Sequence, residues 1–243
     1  MMILDIIQSG SQANGYVLHN ESEAIIIECG CPLLECDKKL GFKREKIKGV
    51  IITHEHSDHA RHAKQYAFNA LKIGSTKGTL DAIGIEKSAR VEMTLLEMYN
   101  FGSFRILPFR TQHDAADPCG FLIDCPDGNR VVFATDTYYL KYTFPKVNYF
   151  MVECNYAKEK LHGNVKAGIV HPAVARRITE SHMSLASCCK MLQANDLTQT
   201  KGIILLHLSK DNSIEKEAVI DTVQRATGKP VYIAQKSTTI NLL

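Results

Sequence analysis

Five residues able to hold a metal ion or move a proton fall within nine positions: His54, His56, Asp58, His59 and His62, in the run VIITHEHSDHARH from Val50 to His62. Imidazole titrates near neutrality and is the commonest neutral nitrogen ligand for transition metals, so the cluster points to metal or acid–base chemistry. In extended chain leaving a strand, side chains two positions apart project to the same side, so His54 and His56 can grip one ion together. Asp58 and His59 follow on a turn or helix start and can face a second point close by. Each ion still needs partners from elsewhere. His113 follows the run RILPFRTQ, Asp136 closes VVFAT, and His207 ends GIILL. All three are ligand-type residues just past an apolar run, where loops gather at the edge of a sheet. His19, His62, His162 and His171 read as structural.

The elements that must position these residues are legible as alternating runs. MMILDIIQS, GYVLH and EAIIIE form an N-terminal meander broken by Gly10, Gly15 and an Asn20–Glu21–Ser22 turn. CPLLECDKKLGF has helical periodicity, and IKGVIIT is a buried strand that delivers the histidine cluster. A helix near Gly78 to Ile83 follows. FRILPF, GFLIDC and RVVFATD are strands, the last two joined by a turn at Asp127–Gly128–Asn129. Further on, YFMVECN and GIILLHLS read as strands, and AVARRITESH, LASCCKMLQAN and SIEKEAVIDTVQRATG as helices, the last stopping at Gly228. No repeat or linker interrupts the pattern. It predicts one layered α/β domain over residues 1–243 with functional residues at strand ends.

Composition narrows the classes. No stretch reaches the roughly 18 apolar residues of a membrane span, and Met1 to Ser9 lacks the marks of an export signal, so a cytoplasmic protein without membrane partners is expected. Eight cysteines in that setting argue for reduced thiols. Cys29, Cys31 and Cys36 lack the paired CxxC units of a zinc knuckle, and Cys188 and Cys189 belong on a half-buried helix. A formal charge of +3 is only mildly basic: it permits an anionic substrate without marking a nucleic-acid-coating protein. The basic stretch KKLGFKREKIK reads as the solvated face and exit loop of a helix.

THEHSDH resembles the HxHxDH signature of the metallo-β-lactamase fold, and the later motifs of that family match His113, Asp136 and His207 in order. The resemblance implies an αββα four-layer sandwich with its metal site at the rim of two sheets. It also implies a ligand assignment: His54, His56 and His113 on one divalent ion, Asp58, His59 and His207 on a second, Asp136 bridging, with zinc or manganese as the metals. SGSQANGYVL, HDAADPCGFLI, ATDT, VECNY, SHMS and LHLSKDN are further similar to motifs of the YycJ/WalJ (VicX) branch, which contains DNA exonucleases. That likeness places Ser9, Ser11, Asn14 and Ser184 among substrate-contacting residues. It makes His182 a catalytic histidine that protonates a leaving oxygen or pins the phosphate, ahead of a helix start that Ser184 can cap. The helix start would also attract phosphate. Three departures stand out: Ala13 in a glycine position, Glu28–Cys29–Gly30 where Asp-Ala-Gly is usual, and His62 in place of a glycine. They touch the pocket rim and the groups behind the ligands.

Two cations held by such a set lower the pKa of a shared water and polarise a substrate oxygen. The expected function is a two-metal phosphodiesterase, a nuclease of the DNA exonuclease kind, with Asp58 and His182 in the chemistry. A small-molecule metallo-hydrolase acting on a nucleotide phosphodiester, thioester or lactone is the alternative. The complete ligand set argues against a regulatory member whose metals are structural. Too few positions separate Asp136 from His182 for the inserted domain of β-CASP nucleases, and no Gly/Pro-rich arm like that of ribonuclease Z is present. His56 and Asp136 argue against flavodiiron proteins and many zinc β-lactamases; iron thiol dioxygenases remain compatible with the ligands.

Overall fold

The computed structural model describes residues 1–243. The chain divides into two compact units: Met1–Arg110, Ala115–Asn129 and Ala234–Leu243 form the first, Thr111–Asp114 and Arg130–Ile233 the second.

In the first unit, strands β1 (Met2–Gln8), β2 (Gly15–His19), β3 (Ala24–Ile27), β4 (Ile47–Ile51), β5 (Ile73–Ser75) and β6 (Arg90–Glu92) build a mixed sheet with β14 (Thr238–Leu242), in the order β14-β1-β2-β3-β4-β5-β6. The meander β1-β2-β3 is antiparallel, and β3-β4-β5-β6 is parallel. The EAIIIE run is buried on both faces: Ile25, Ile26 and Ile27 are all fully covered. On one face Val17, Ile26, Val50 and Ile73 pack with Leu33 of α1 (Leu33–Lys39), Tyr66 of α3 (Ala63–Phe68) and Leu80 of α4 (Lys77–Ile83). Helix α2 (Ser57–Ala60) is a single turn inside the histidine run. An antiparallel ladder of β7 (Tyr99–Phe101), β8 (Phe104–Arg110) and β9 (Cys119–Asp124) completes the unit.

The second unit is a parallel sheet of β10 (Arg130–Ala134), β11 (Tyr149–Glu153), β12 (Gly202–Leu206) and β13 (Val231–Ile233), with helices α5 (Lys158–Lys166), α6 (Pro172–Ser181), α7 (Leu185–Gln193) and α8 (Lys216–Thr227). Its register matters for the site. Ala134 pairs with Val152 and Glu153 with Leu206, so Asp136, Glu153 and His207 all sit at the carboxyl edge of neighbouring strands. That is where parallel sheets present functional residues.

The predicted elements recur with boundaries shifted by a few residues, and α8 stops at Gly228, which adopts the left-handed conformation of a helix C-cap (φ 67°). β5, β6, β7 and β13 are absent from the sequence reading because three residues are too few to show alternation. α5 is absent because KEKLHGNVK buries only Leu161 and Asn164. All eight cysteines are free, and seven are buried.

β14 closes the edge of the first sheet by pairing Met2 with Leu242, and a buried carboxylate fastens it. Asp5 accepts from Thr239 Oγ1, meets His19 Nε2 at 2.9 Å and pairs with Lys39 Nζ at 3.1 Å. Burial opposes ionisation of Asp5, but these partners outweigh it and lower its pKa. Its stabilising contribution is therefore complete above the ordinary carboxylate range and is lost as pH falls through the depressed folded value. Asp5→Asn should cost about 1–3 kcal/mol at pH 7, with the difference from the parent shrinking toward zero in acid, as urea unfolding at a series of pH values will read.

Candidate metal centre

Strand β4 ends at Ile51, and the chain then runs extended through Thr53 to His56 before turning into α2. This brings three imidazoles together: ring centroids lie 4.7 Å apart for His54 and His56 and 4.1 Å apart for His54 and His59. Behind them is Glu28, fully buried one residue past β3. Its Oε1 accepts from Thr53 Oγ1 at 2.5 Å, its Oε2 from Thr53 N at 3.3 Å, and His59 Nδ1 lies 3.2 Å from Oε1. Because the Thr53 hydroxyl proton goes to the carboxylate, Thr53 Oγ1 accepts from His54 Nδ1 at 2.9 Å. In His54, Nδ1 is therefore the protonated nitrogen, linked to the buried carboxylate through Thr53. That tautomer puts the lone pair on Nε2, the arrangement in which a carboxylate orients a histidine toward a cation.

A backbone splint holds this loop. Asn14 N donates to Asp58 O (2.7 Å), Cys29 N to His59 O (2.6 Å), Gly30 N to Asn14 O (3.0 Å) and His62 N to Cys29 O (2.9 Å). Asn14 is fully buried, with Nδ2 3.0 Å from His59 Nε2 and 3.4 Å from Asp58 Oδ2. Its position is beside the ligands. Ser9 accepts from Tyr16 Oη at 2.8 Å, and Ser11 is exposed.

In the second unit Asp136, Glu153, His182 and His207 each bring a ligand-type atom within 4.8 Å of the others. Glu153 anchors the group. Fully buried, it meets His182 Nδ1 at 2.7 Å, Thr137 N at 2.9 Å and Met183 N at 3.1 Å, and lies 3.4 Å from His207 Nδ1. Burial works against its charge, but His182 and His207 outweigh that and hold its pKa below the ordinary value. The imidazoles respond in kind. Desolvation opposes protonation of His182, yet Glu153 raises its pKa; at His207, Asp136 and Glu153 overcome burial and push it to about 10. An ion binding at His207 has to displace that proton. His207 Nδ1 donates to Asp136 Oδ1 at 2.5 Å, leaving Nε2 for an ion. His113 follows the same rule: Nδ1 donates to Ser181 O at 3.2 Å, and Nε2 turns toward Asp136 Oδ2, 3.8 Å away.

Three of these strand-end residues share a backbone feature. Glu28 (φ 69°), Asp136 (φ 46°) and His207 (φ 53°) all lie in the left-handed region. Each such residue costs of order 1–3 kcal/mol and persists where its surroundings over-determine it. The twist turns each side chain out of its strand's alternation.

Four predicted ligands thus converge in the first unit and three in the second. Ser184 caps α7: its Oγ accepts from Ser187 N at 3.2 Å, while Leu185 N donates to Tyr156 O. That helix start is already partly satisfied, leaving less for a phosphate than the sequence suggests. Glu153 lies in the quoted VECNY motif but was not singled out, because nothing local distinguishes it from a strand-end surface acid; only the parallel register places it between His182 and His207. The donors are nitrogens presented through Nε2 together with carboxylates, which fits divalent transition metals.

Residues 9–69 match the metallo-β-lactamase superfamily. The chain is 23% identical over 234 residues to exodeoxyribonuclease YycJ of Bacillus anthracis, covering 90% of this chain and 87% of that one. Among solved structures, the metallo-β-lactamase fold protein YhfI from Bacillus subtilis aligns with a TM-score of 0.75 at 16% identity over 99% of this chain and 100% of that one. The short form of human tRNase Z aligns with a TM-score of 0.66 at 14% identity over the whole of both chains. The chain has the α/β sandwich of the metallo-β-lactamase fold and is similar to exodeoxyribonucleases of the YycJ/WalJ branch.

Gly30 offers a direct test of the splint. A Cβ there would lie 1.9 Å from Asp58 O. Gly30→Ala should push the Asp58–His59 turn away, costing about 1–3 kcal/mol in stability and lowering metal content per folded chain, read by mass spectrometry of the purified protein. Metal content unchanged from the parent would show that the splint does not position the ligands.

Proposed function

We propose that this hydrolase is a two-metal phosphodiesterase that degrades DNA from its ends. His54, His56, Asp58, His59, His113, Asp136 and His207 serve its two divalent ions, zinc or manganese. The observation that carries the reading is the pairing of His182 with Glu153: a histidine beside the predicted ligands but outside their set, whose Nδ1 meets a buried carboxylate at 2.7 Å. Support also comes from the relatives named as exodeoxyribonucleases, similar over nine-tenths of the chain.

The bound ions supply Lewis acidity and a water activated near neutral pH. The protein's own groups do the rest. Thr53, itself bound to Glu28, fixes the tautomer of His54, and Glu153 holds His182 through Nδ1, so a protonated His182 presents Nε2–H. That proton goes to the departing oxygen as the P–O bond breaks.

Two measurements test this reading. Asp58→Ala and chelation should each abolish hydrolysis of labelled DNA, with activity returning on metal addition only in the chelated parent. Efficient cleavage of thioesters or lactones by metal-loaded protein that leaves every phosphodiester intact would replace the reading with a small-molecule hydrolase. Steep loss of rate with added salt is expected of an enzyme gripping several phosphates, and a shallow response of one acting on a small nucleotide.

His182→Ala should keep both metals and the fold while lowering turnover on DNA by about two to four orders of magnitude. p-Nitrophenolate departs without a proton, so p-nitrophenyl phosphodiesters should be cleaved with far smaller loss. Equal losses on both substrates would make His182 a phosphate-positioning residue, and no loss on either would remove it from the mechanism.

A further inference from the structure

The second unit contains a cavity of about 540 Å³ between α5 and α6, within the roughly 300–1,000 Å³ typical of small-molecule sites. Its lining separates by chemistry. Tyr138, 43% exposed on the loop after β10, joins Leu161 and Val165 of α5 in an apolar wall. Lys158 and Arg176 bring positive charge, and no carboxylate lines the space. Arg176 donates through Nε to Glu180, which leaves most of its guanidinium fork available. His182 borders the same cavity, with Nδ1 held by Glu153.

An occupant matching this lining has a flat apolar part and an anionic part. Inorganic phosphate would use the cations and leave the wall wet; an apolar molecule would cover the wall and leave the exposed Lys158 and Arg176 unused. A nucleotide satisfies both. A cavity of this size takes one base rather than a stacked run, so the nucleotide must be unstacked from its neighbours, as at a strand end.

We infer that this cavity seats the terminal nucleotide of the substrate strand, the base against Tyr138 and the Leu161–Val165 wall and a phosphate against Lys158 and Arg176. The inference rests on the phosphodiesterase reading and adds to it the feature that selects ends. Stacking accepts every base, so little sequence preference follows.

Calorimetric titration of the metal-loaded protein with deoxynucleoside 5′-monophosphates, deoxyribose 5-phosphate and inorganic phosphate tests the site. Mononucleotides should bind at least about tenfold more tightly than deoxyribose 5-phosphate. Tyr138→Ala should weaken them by about 5- to 150-fold, the loss of one base–aromatic stack. Val165→Arg, which fills the half-buried wall, should abolish that preference while inorganic phosphate binds at least as tightly as before. Mononucleotides binding no better than deoxyribose 5-phosphate, or Val165→Arg leaving their affinity unchanged, overturns the site even if DNA is hydrolysed. Circular single-stranded DNA degraded as fast as its linear form overturns the assignment to ends. Tight mononucleotide binding by a protein that cleaves no phosphodiester supports the nucleotide cavity and refutes only the nuclease reading.

Discussion

Two buried carboxylates, Glu28 in the first unit and Glu153 in the second, set the geometry of everything around them. A buried acid is costly unless its oxygens are met by donors, so each acts as a collecting point for the polar groups nearby. Glu28 gathers the Thr53 hydroxyl and amide and the His59 ring; Glu153 gathers two backbone amides and the rings of His182 and His207. The contacts through Nδ1 thereby hold the imidazoles in one orientation. Preorganisation of this kind spares binding the cost of ordering ligands.

The carboxylates sit where they do because of how the strands end. In the second unit the parallel register brings the exits of β10, β11 and β12 side by side, and the left-handed residues Asp136 and His207 swing their side chains toward Glu153. In the first, Glu28 turns out of β3 in the same way and feeds the Cys29–Gly30 splint. The strain at these positions is offset by the hydrogen bonds it makes possible, so weakening either carboxylate would remove the reason for the backbone's shape as well as a ligand's support.

The histidine run, the three ligand-type residues at strand exits and most strands were legible because each is a local pattern: residue spacing, or an apolar run with punctuation. What was illegible depended on distant pairing. Glu153 looks like any acid closing a strand until β12 is laid beside β11, and β5, β6 and β13 are too short to announce themselves. Asn14 read as a substrate-contacting residue on its motif; the structure buries it beside His59 and Asp58. Ser184 was read correctly as a cap, and capping is what engages its hydroxyl.

The departures from the resembling branch sort by the same logic. The Glu28 carboxylate, one methylene beyond an aspartate's, lies within 2.5 Å of Thr53 Oγ1 and 3.2 Å of His59 Nδ1. Ala13 and His62 are different: both line a second cavity in the first unit, about 490 Å³ in volume, together with Arg61, Lys38 and Lys236. Burial and Arg61 lower the pKa of His62, so neutral imidazole is favoured there and the cavity's cationic character comes from the lysines and Arg61. A methyl group and a neutral ring where relatives are expected to carry glycines narrow this cavity without changing its charge. The shape of this cavity is therefore set in part by the Ala13 methyl group and the His62 ring, and its charge by its lysines and Arg61 set against Glu35.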